Sequence, residues 1–154
     1  MNESQPANLT EEQFHKKMAV DLFKRTWDLL DKPERTPGEN DELIHAGHAS
    51  RFHWGKVGKP LNLARGEQQL SHIYAMLKRA EPALYHGQRA LEICQANGIA
   101  DFDIAFAYEA LARAHAVAGN QPERNRYLEL GRAAAPGIAK EEEWKYFLSR
   151  LDTV

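Results

Sequence analysis

Three histidines, His45, His48 and His53, crowd into the ten residues HAGHASRFHW. Neutral imidazole is the commonest metal ligand among side chains, so the run raises the question of a metal centre. A zinc ion needs at least three protein ligands converging on one point. On a helix turning about 100° per residue, His45 and His48 stand about 60° apart, whereas His53 lies about 80° from His45 on its other side and about 140° from His48. All three cannot grip one ion. A chelate from His45 and His48, with Glu42 one turn earlier and a further group from another helix, is the remaining metal or ligand-binding alternative. The competing reading is packing: Ala46, Gly47, Ala49 and Ser50 suit a helix pressed against a neighbour, and the histidines become hydrogen-bonded rim or core residues.

A second pattern, E-x-x-H, occurs as Glu12 to His15 and as Glu42 to His45. This is the ligand spacing of di-iron carboxylate bundles, which add a glutamate from each of two further helices, here drawn from Glu67, Glu92 and Glu109. Both motifs fall in the first turns of consecutive helices that a short loop makes antiparallel, which separates them by roughly 25 to 30 Å. They cannot share an iron pair. The chain contains no G-x-S-x-G, P-loop or dinucleotide glycine pattern. Cys94, on an apolar stripe with Leu84, Gly87 and Leu91, has the setting of a small buried hydrophobe. No catalytic residue and no cofactor are therefore expected.

The elements that must position these residues are read from apolar spacing and helix punctuation. Residues 1–9 are polar and aperiodic, the mark of a disordered tail. Thr10 followed by Gln13 has capping-box spacing and opens a helix ending near Lys32. The stretch Lys32 to Gly38, with two prolines and a glycine, predicts a loop, after which Asn40 or Asp41 caps a helix ending near Val57. Pro60, Pro82 and Pro122 each suit a first helical turn, and Gly98 and Gly119 suit C-terminal stops. Helices are thus expected over 61–77, 80–97, 102–118 with Asp101 as cap, and from 122 to just before Pro136. The last, over 140–152, sets Trp144, Phe147, Leu148 and Leu151 at i, i+3, i+4 and i+7. No segment alternates with period two. About seven helices in antiparallel hairpins predict an all-α chain, with 10–154 as a single helical-repeat domain.

Composition narrows the partners. With 20 basic and 22 acidic residues, net charge −2, the chain lacks the basic footprint of nucleic-acid binding. No apolar run approaches the roughly 20 residues that span a bilayer. The N-terminus MNESQPANLT has no signal-peptide pattern, and a single cysteine excludes an internal disulfide, so a cytoplasmic protein is expected.

Helices three and four overlay helices five and six at an offset of 41, the separation of Leu70 from Leu111. Tyr74 then falls on His115, Ala75 on Ala116, and Lys78 on Gly119 at the turn. In LARGEQQLSHIYAMLKRAEPALYHGQRALEI the large and small positions Leu70, Ser71, Tyr74, Ala83, Ala90 and Leu91, with Leu111, Ala112 and Gly119 in the next hairpin, resemble the tetratricopeptide repeat family over about 61–135. Departures are Glu67 in place of a frequent tryptophan, His115 for an aromatic and Arg124 for a small alanine, and the period exceeds the family's usual length of about 34 residues. Helices one and two form a third, diverged hairpin of similar size, and the final helix is placed to cap the stack.

The resemblance implies a right-handed array in which the first helix of each hairpin lines a concave groove. Carried over position by position, the groove residues are Arg65, Gln68 and His72 from helix three and Phe106, Glu109 and Arg113 from helix five. Arg and Gln there could hold the carboxylate and backbone groups of an extended peptide. The same residues also read as a solvated face with ordinary pairs such as Glu109 with Arg113. The alanines at 105, 107, 110, 112, 114 and 116 make helix five apolar almost all round, either central in the monomer or part of a dimer interface. The expected function is a non-catalytic protein-protein interaction module, binding a peptide or self-associating as a homo-oligomer. A small metal- or ligand-binding enzyme built on Glu42, His45 and His48 is the alternative.

Overall fold

The computed structural model describes residues 8–154 and is all-α, with no strand among them. The disordered tail expected at 1–9 falls mostly on residues outside the described ones. Seven helices follow in order: α1 Glu11–Leu30, α2 Pro37–Val57, α3 Pro60–Met76, α4 Ala80–Ala96, α5 Asp101–Val117, α6 Gln121–Ala134 and α7 Glu141–Leu151, with a 3₁₀ turn at Ala135–Gly137 before the last. Consecutive helices pack against each other as an array, and α3 also lies directly against α5. The first helix starts as its sequence predicts. Thr10 Oγ1 accepts the Gln13 amide at 3.1 Å while Gln13 returns the bond to the Thr10 amide at 3.0 Å.

Two boundaries differ from expectation. The second helix begins at Pro37 rather than beyond Asn40, because Thr36 forms its own capping box with Glu39 at 3.2 and 3.0 Å. Proline is compatible with this position because the first helical amide has no partner to lose. Asp101 does not act as a conventional N-cap. It takes φ 62°, and its carboxylate accepts the Phe102 amide at 2.6 Å and the Ala139 amide at 3.3 Å, tying the start of α5 to the approach of α7.

Some positions 41 residues apart share local geometry. Lys78 and Gly119 both adopt left-handed backbone, at φ 61° and 73°. Behind them the Arg79 amide bonds the Tyr74 carbonyl at 2.8 Å, and the Asn120 amide bonds the His115 carbonyl at 3.0 Å, a helix-ending pattern that recurs at Gly98, φ 63°, with the Ile99 amide on the Cys94 carbonyl at 2.9 Å. Tyr74 stacks on His86 at 5.7 Å, and His115 stacks on Tyr127 at 5.5 Å, so both members of each pair are related by 41 with the two side-chain types exchanged.

Packing is organised around α5. Ala105, Ala107, Ala110, Ala112 and Ala114 are all buried, and the helix is covered by α3, α4, α6 and α7. Most of its apolar circumference is therefore used within the chain, while Ala116, the last of the series, is exposed. The last helix seats Phe147 and Leu151 in the core beside Gly131 of α6, but Trp144, expected on the same stripe, is 37% exposed.

Candidate functional site

The HAGHASRFHW stretch lies within α2 and turns its small residues inward. A Cβ at Gly47 would come within 2.6 Å of Ile73 Cδ1 and 3.2 Å of Leu70 Cδ2, so α2 and α3 cross closely at that point. Ser50 Oγ donates to the Ala19 carbonyl at 2.7 Å, anchoring α2 to α1. The histidines diverge. His45 is exposed, His48 Nε2 lies 2.7 Å from the Tyr74 hydroxyl, and His53 Nδ1 lies 2.8 Å from His15 Nδ1. Glu42 turns to α1, where Arg25 donates to its two oxygens at 2.6 and 3.2 Å. The trio Glu42, His45 and His48 is thus not brought together, and no group of three or more His, Cys, Asp or Glu among the described residues is placed to hold a metal ion. Glu67, Glu92 and Glu109, the other carboxylates considered, each pair with a local base instead.

Glu67 is the centre of a polar network that sequence reasoning did not assemble. It is 7% exposed, accepts Arg51 Nε at 3.0 Å, and lies 2.6 Å from His86 Nδ1. Burial pushes its carboxyl up, but the bonds from His86 and Arg51 more than offset this and hold it below the usual value. His86 in turn stacks on Tyr74 and stands 5.5 Å from His48, whose own value is lowered by burial and then by His86. The network joins α2, α3 and α4 through groups that satisfy one another, which is how a structural polar cluster behaves.

A separate concavity lies elsewhere in the fold. A cleft of about 430 Å³ opens between α1, α3, α5 and α7. The first helix lines it with Phe23 and Trp27 and with Asp31 at its C-cap, the third with Ala64, Arg65 and Gln68, the fifth with Phe102, Asp103 and Phe106, and the last with Glu143 and Tyr146. Phe102 meets Phe106 at 4.5 Å between ring centroids, and Phe106 meets Tyr146 at 5.8 Å, so one wall is an aromatic cluster whose middle ring, Phe106, is itself buried. Across α3 and α5, Arg65 donates to both oxygens of Asp103 at 2.8 and 3.2 Å. That pairing holds the guanidinium charged and occupied.

Three of the six groove residues carried over from the repeat pattern, Arg65, Gln68 and Phe106, line this cleft. The other three do not. His72 is 6% exposed with its ring 5.6 Å from Trp27, and burial, followed by Arg113, Arg150 and Arg35, pushes it down to about 3. Glu109 is 1% exposed, and burial raises its carboxyl against the opposing pull of Arg113. Arg113 donates to Glu109 at 2.8 and 2.6 Å, and also to the Arg150 carbonyl and Thr153 Oγ1 at 3.2 and 2.7 Å. Arg113 thereby joins α5 to the end of α7. The final helix closes over positions that an open groove would have left in solvent.

No family model, curated protein or solved structure matches this chain. The site therefore stands on its geometry. Of its lining, Asp31, Ala64, Phe102 and Asp103 were missed, as were Phe23 and Trp27 on α1 and Glu143 and Tyr146 on α7, which the 41-residue correspondence does not reach because it aligns only α3 with α5. Their i, i+4 and i, i+3 spacings are the only sequence signal they carry. Cys94 is buried as expected, and burial pushes its thiol up to about 11, which removes it as a nucleophile near neutral pH.

Proposed function

We propose that this protein is a non-catalytic, tetratricopeptide-like interaction module that holds an extended segment of a partner protein in the cleft between α1, α3, α5 and α7. The observation that carries the reading is that cleft: four helices converge on one concavity, and aromatic rings with a few polar groups line it, as in sites that bind by shape and desolvation. The matching turns and stacked pairs at a separation of 41 support a repeat array, whose inner face is the customary contact surface. A partner segment is favoured over a second copy of the chain, since most of the apolar surface of α5 is covered by its own neighbours. The single buried thiol accords with a cytoplasmic setting. A metal enzyme has less support, because Glu42 is paired with Arg25 and His48 with Tyr74.

The test is selection from a displayed peptide library on the wild-type protein, followed by binding measurements on Gln68→Trp, which fills the cleft from a side chain with no hydrogen bond of its own among the described residues. Peptides that bind the wild type at micromolar Kd should lose at least about tenfold in affinity for the variant. Selected peptides that bind both proteins equally, or a library that yields none, would contradict the reading.

A further inference from the structure

The chemistry of the cleft points to what it binds, and the inference rests on the reading just given. Three carboxylates, Asp31, Asp103 and Glu143, share the lining with one cation, Arg65. Arg65 is committed to Asp103 through two hydrogen bonds. Among the described residues the side chains of Asp31 and Glu143 make no hydrogen bond or ion pair, and Glu143 acts on Arg65 only at a distance. The cleft therefore holds a surplus of two negative charges. Of the neighbouring cations, Arg113, Arg150 and Arg35 act on His72, two turns further along α3 than Arg65, and none of the three lines the cleft. Beside these carboxylates stand the rings of Trp27 and Tyr146, the latter 52% exposed, with the buried Phe106 5.8 Å from Tyr146.

Aromatic faces attract a cation through their quadrupole, and carboxylates at the rim attract it by charge; a planar guanidinium satisfies both at once, stacking on a ring while its edge donates to a carboxylate. We propose that the partner segment is basic and that it seats an arginine side chain in this cleft, against the aromatic wall and between Asp31 and Glu143. The arrangement is the reverse of a carboxylate-binding groove. Arg65, the residue best suited by type to bind an acidic peptide end, is already occupied by Asp103, so the free charge in the cleft is negative.

Two capped heptapeptides separate this inference from the broader one: one alternates alanine with arginine, and the other replaces each arginine by citrulline, which keeps the shape and removes the charge. Isothermal titration should show the arginine peptide binding at least about tenfold more tightly, with affinity falling as salt rises. The double variant Asp31→Asn, Glu143→Gln, checked by circular dichroism for an unchanged fold, should abolish the difference between the peptides. Equal binding of the two peptides, both weakened by Gln68→Trp, would overturn the cationic preference while leaving the cleft as the binding surface. Tight arginine-peptide binding that survives either the double variant or Gln68→Trp would place the contact elsewhere and overturn the inference. So would no detectable binding of the arginine peptide, whatever the library selection yields.

Discussion

Buried histidine gives this protein a predictable response to acid. His72 has a folded-state value of about 3 against about 6.5 for the free side chain. Across that interval the unfolded chain takes up the proton and the folded one does not. The histidine's contribution to stability is intact above pH 6.5 and is lost as pH falls below it, by about 1.4 kcal/mol per pH unit until the folded form also protonates. His48, His53 and His115 are lowered by burial too and push in the same direction. Urea unfolding of the wild type and of His72→Gln between about pH 6 and pH 4 should give slopes of stability against pH that differ by close to one proton. Identical slopes would mean that His72 titrates freely in the folded protein. The residue was legible as a groove candidate from its register on α3, but its burial was not, because its neighbour Trp27 belongs to α1, far away in sequence.

At the scale of the element, the helix ends separate what spacing can reveal from what it cannot. Capping at Thr10 and the glycine stops at Gly98 and Gly119 were legible because they depend on residues a few positions apart. The start of α2 was hidden because proline and glycine in Thr36-Pro37-Gly38-Glu39 look like loop residues although the threonine and glutamate form a capping box around them. The partner of Asp101, the Ala139 amide, lies 38 residues away and leaves no local trace. Lys78 offers a direct test of the paired turns. It occupies the left-handed position that glycine fills at 119, where a side chain costs about 1–2 kcal/mol, partly recovered through the stiffer unfolded chain. Lys78→Gly should therefore raise stability by up to about 1 kcal/mol, and Gly119→Lys should lower it by a similar amount. Thermal or urea unfolding of both variants measures this, and a Lys78→Gly protein less stable than wild type would contradict the equivalence of the two turns.

For the whole molecule, the all-α class followed from helical periodicity, whereas the cleft did not. Its lining comes from four helices spread over residues 23 to 146, and only the α3 and α5 contributions are linked by the internal repeat. Nor does a groove register tell which polar residues remain free. Arg65 and Asp103 neutralise each other across two helices, and Glu109 and Arg113 do so within one, so the uncompensated charge is left on Asp31 and Glu143. The central claim is that the cleft is where a partner segment binds, and the three tryptophans report on it. Trp27 lines the cleft, Trp54 lies near the end of α2, and Trp144 lines a separate hollow beside Pro136 and Ile138. In a ¹H–¹⁵N correlation spectrum, with the three indole signals assigned by Trp→Phe variants, titration with a library-selected peptide should move the Trp27 indole signal while those of Trp54 and Trp144 hold their positions. Saturable movement of Trp54 or Trp144 with Trp27 unchanged would place binding outside the cleft and contradict the account.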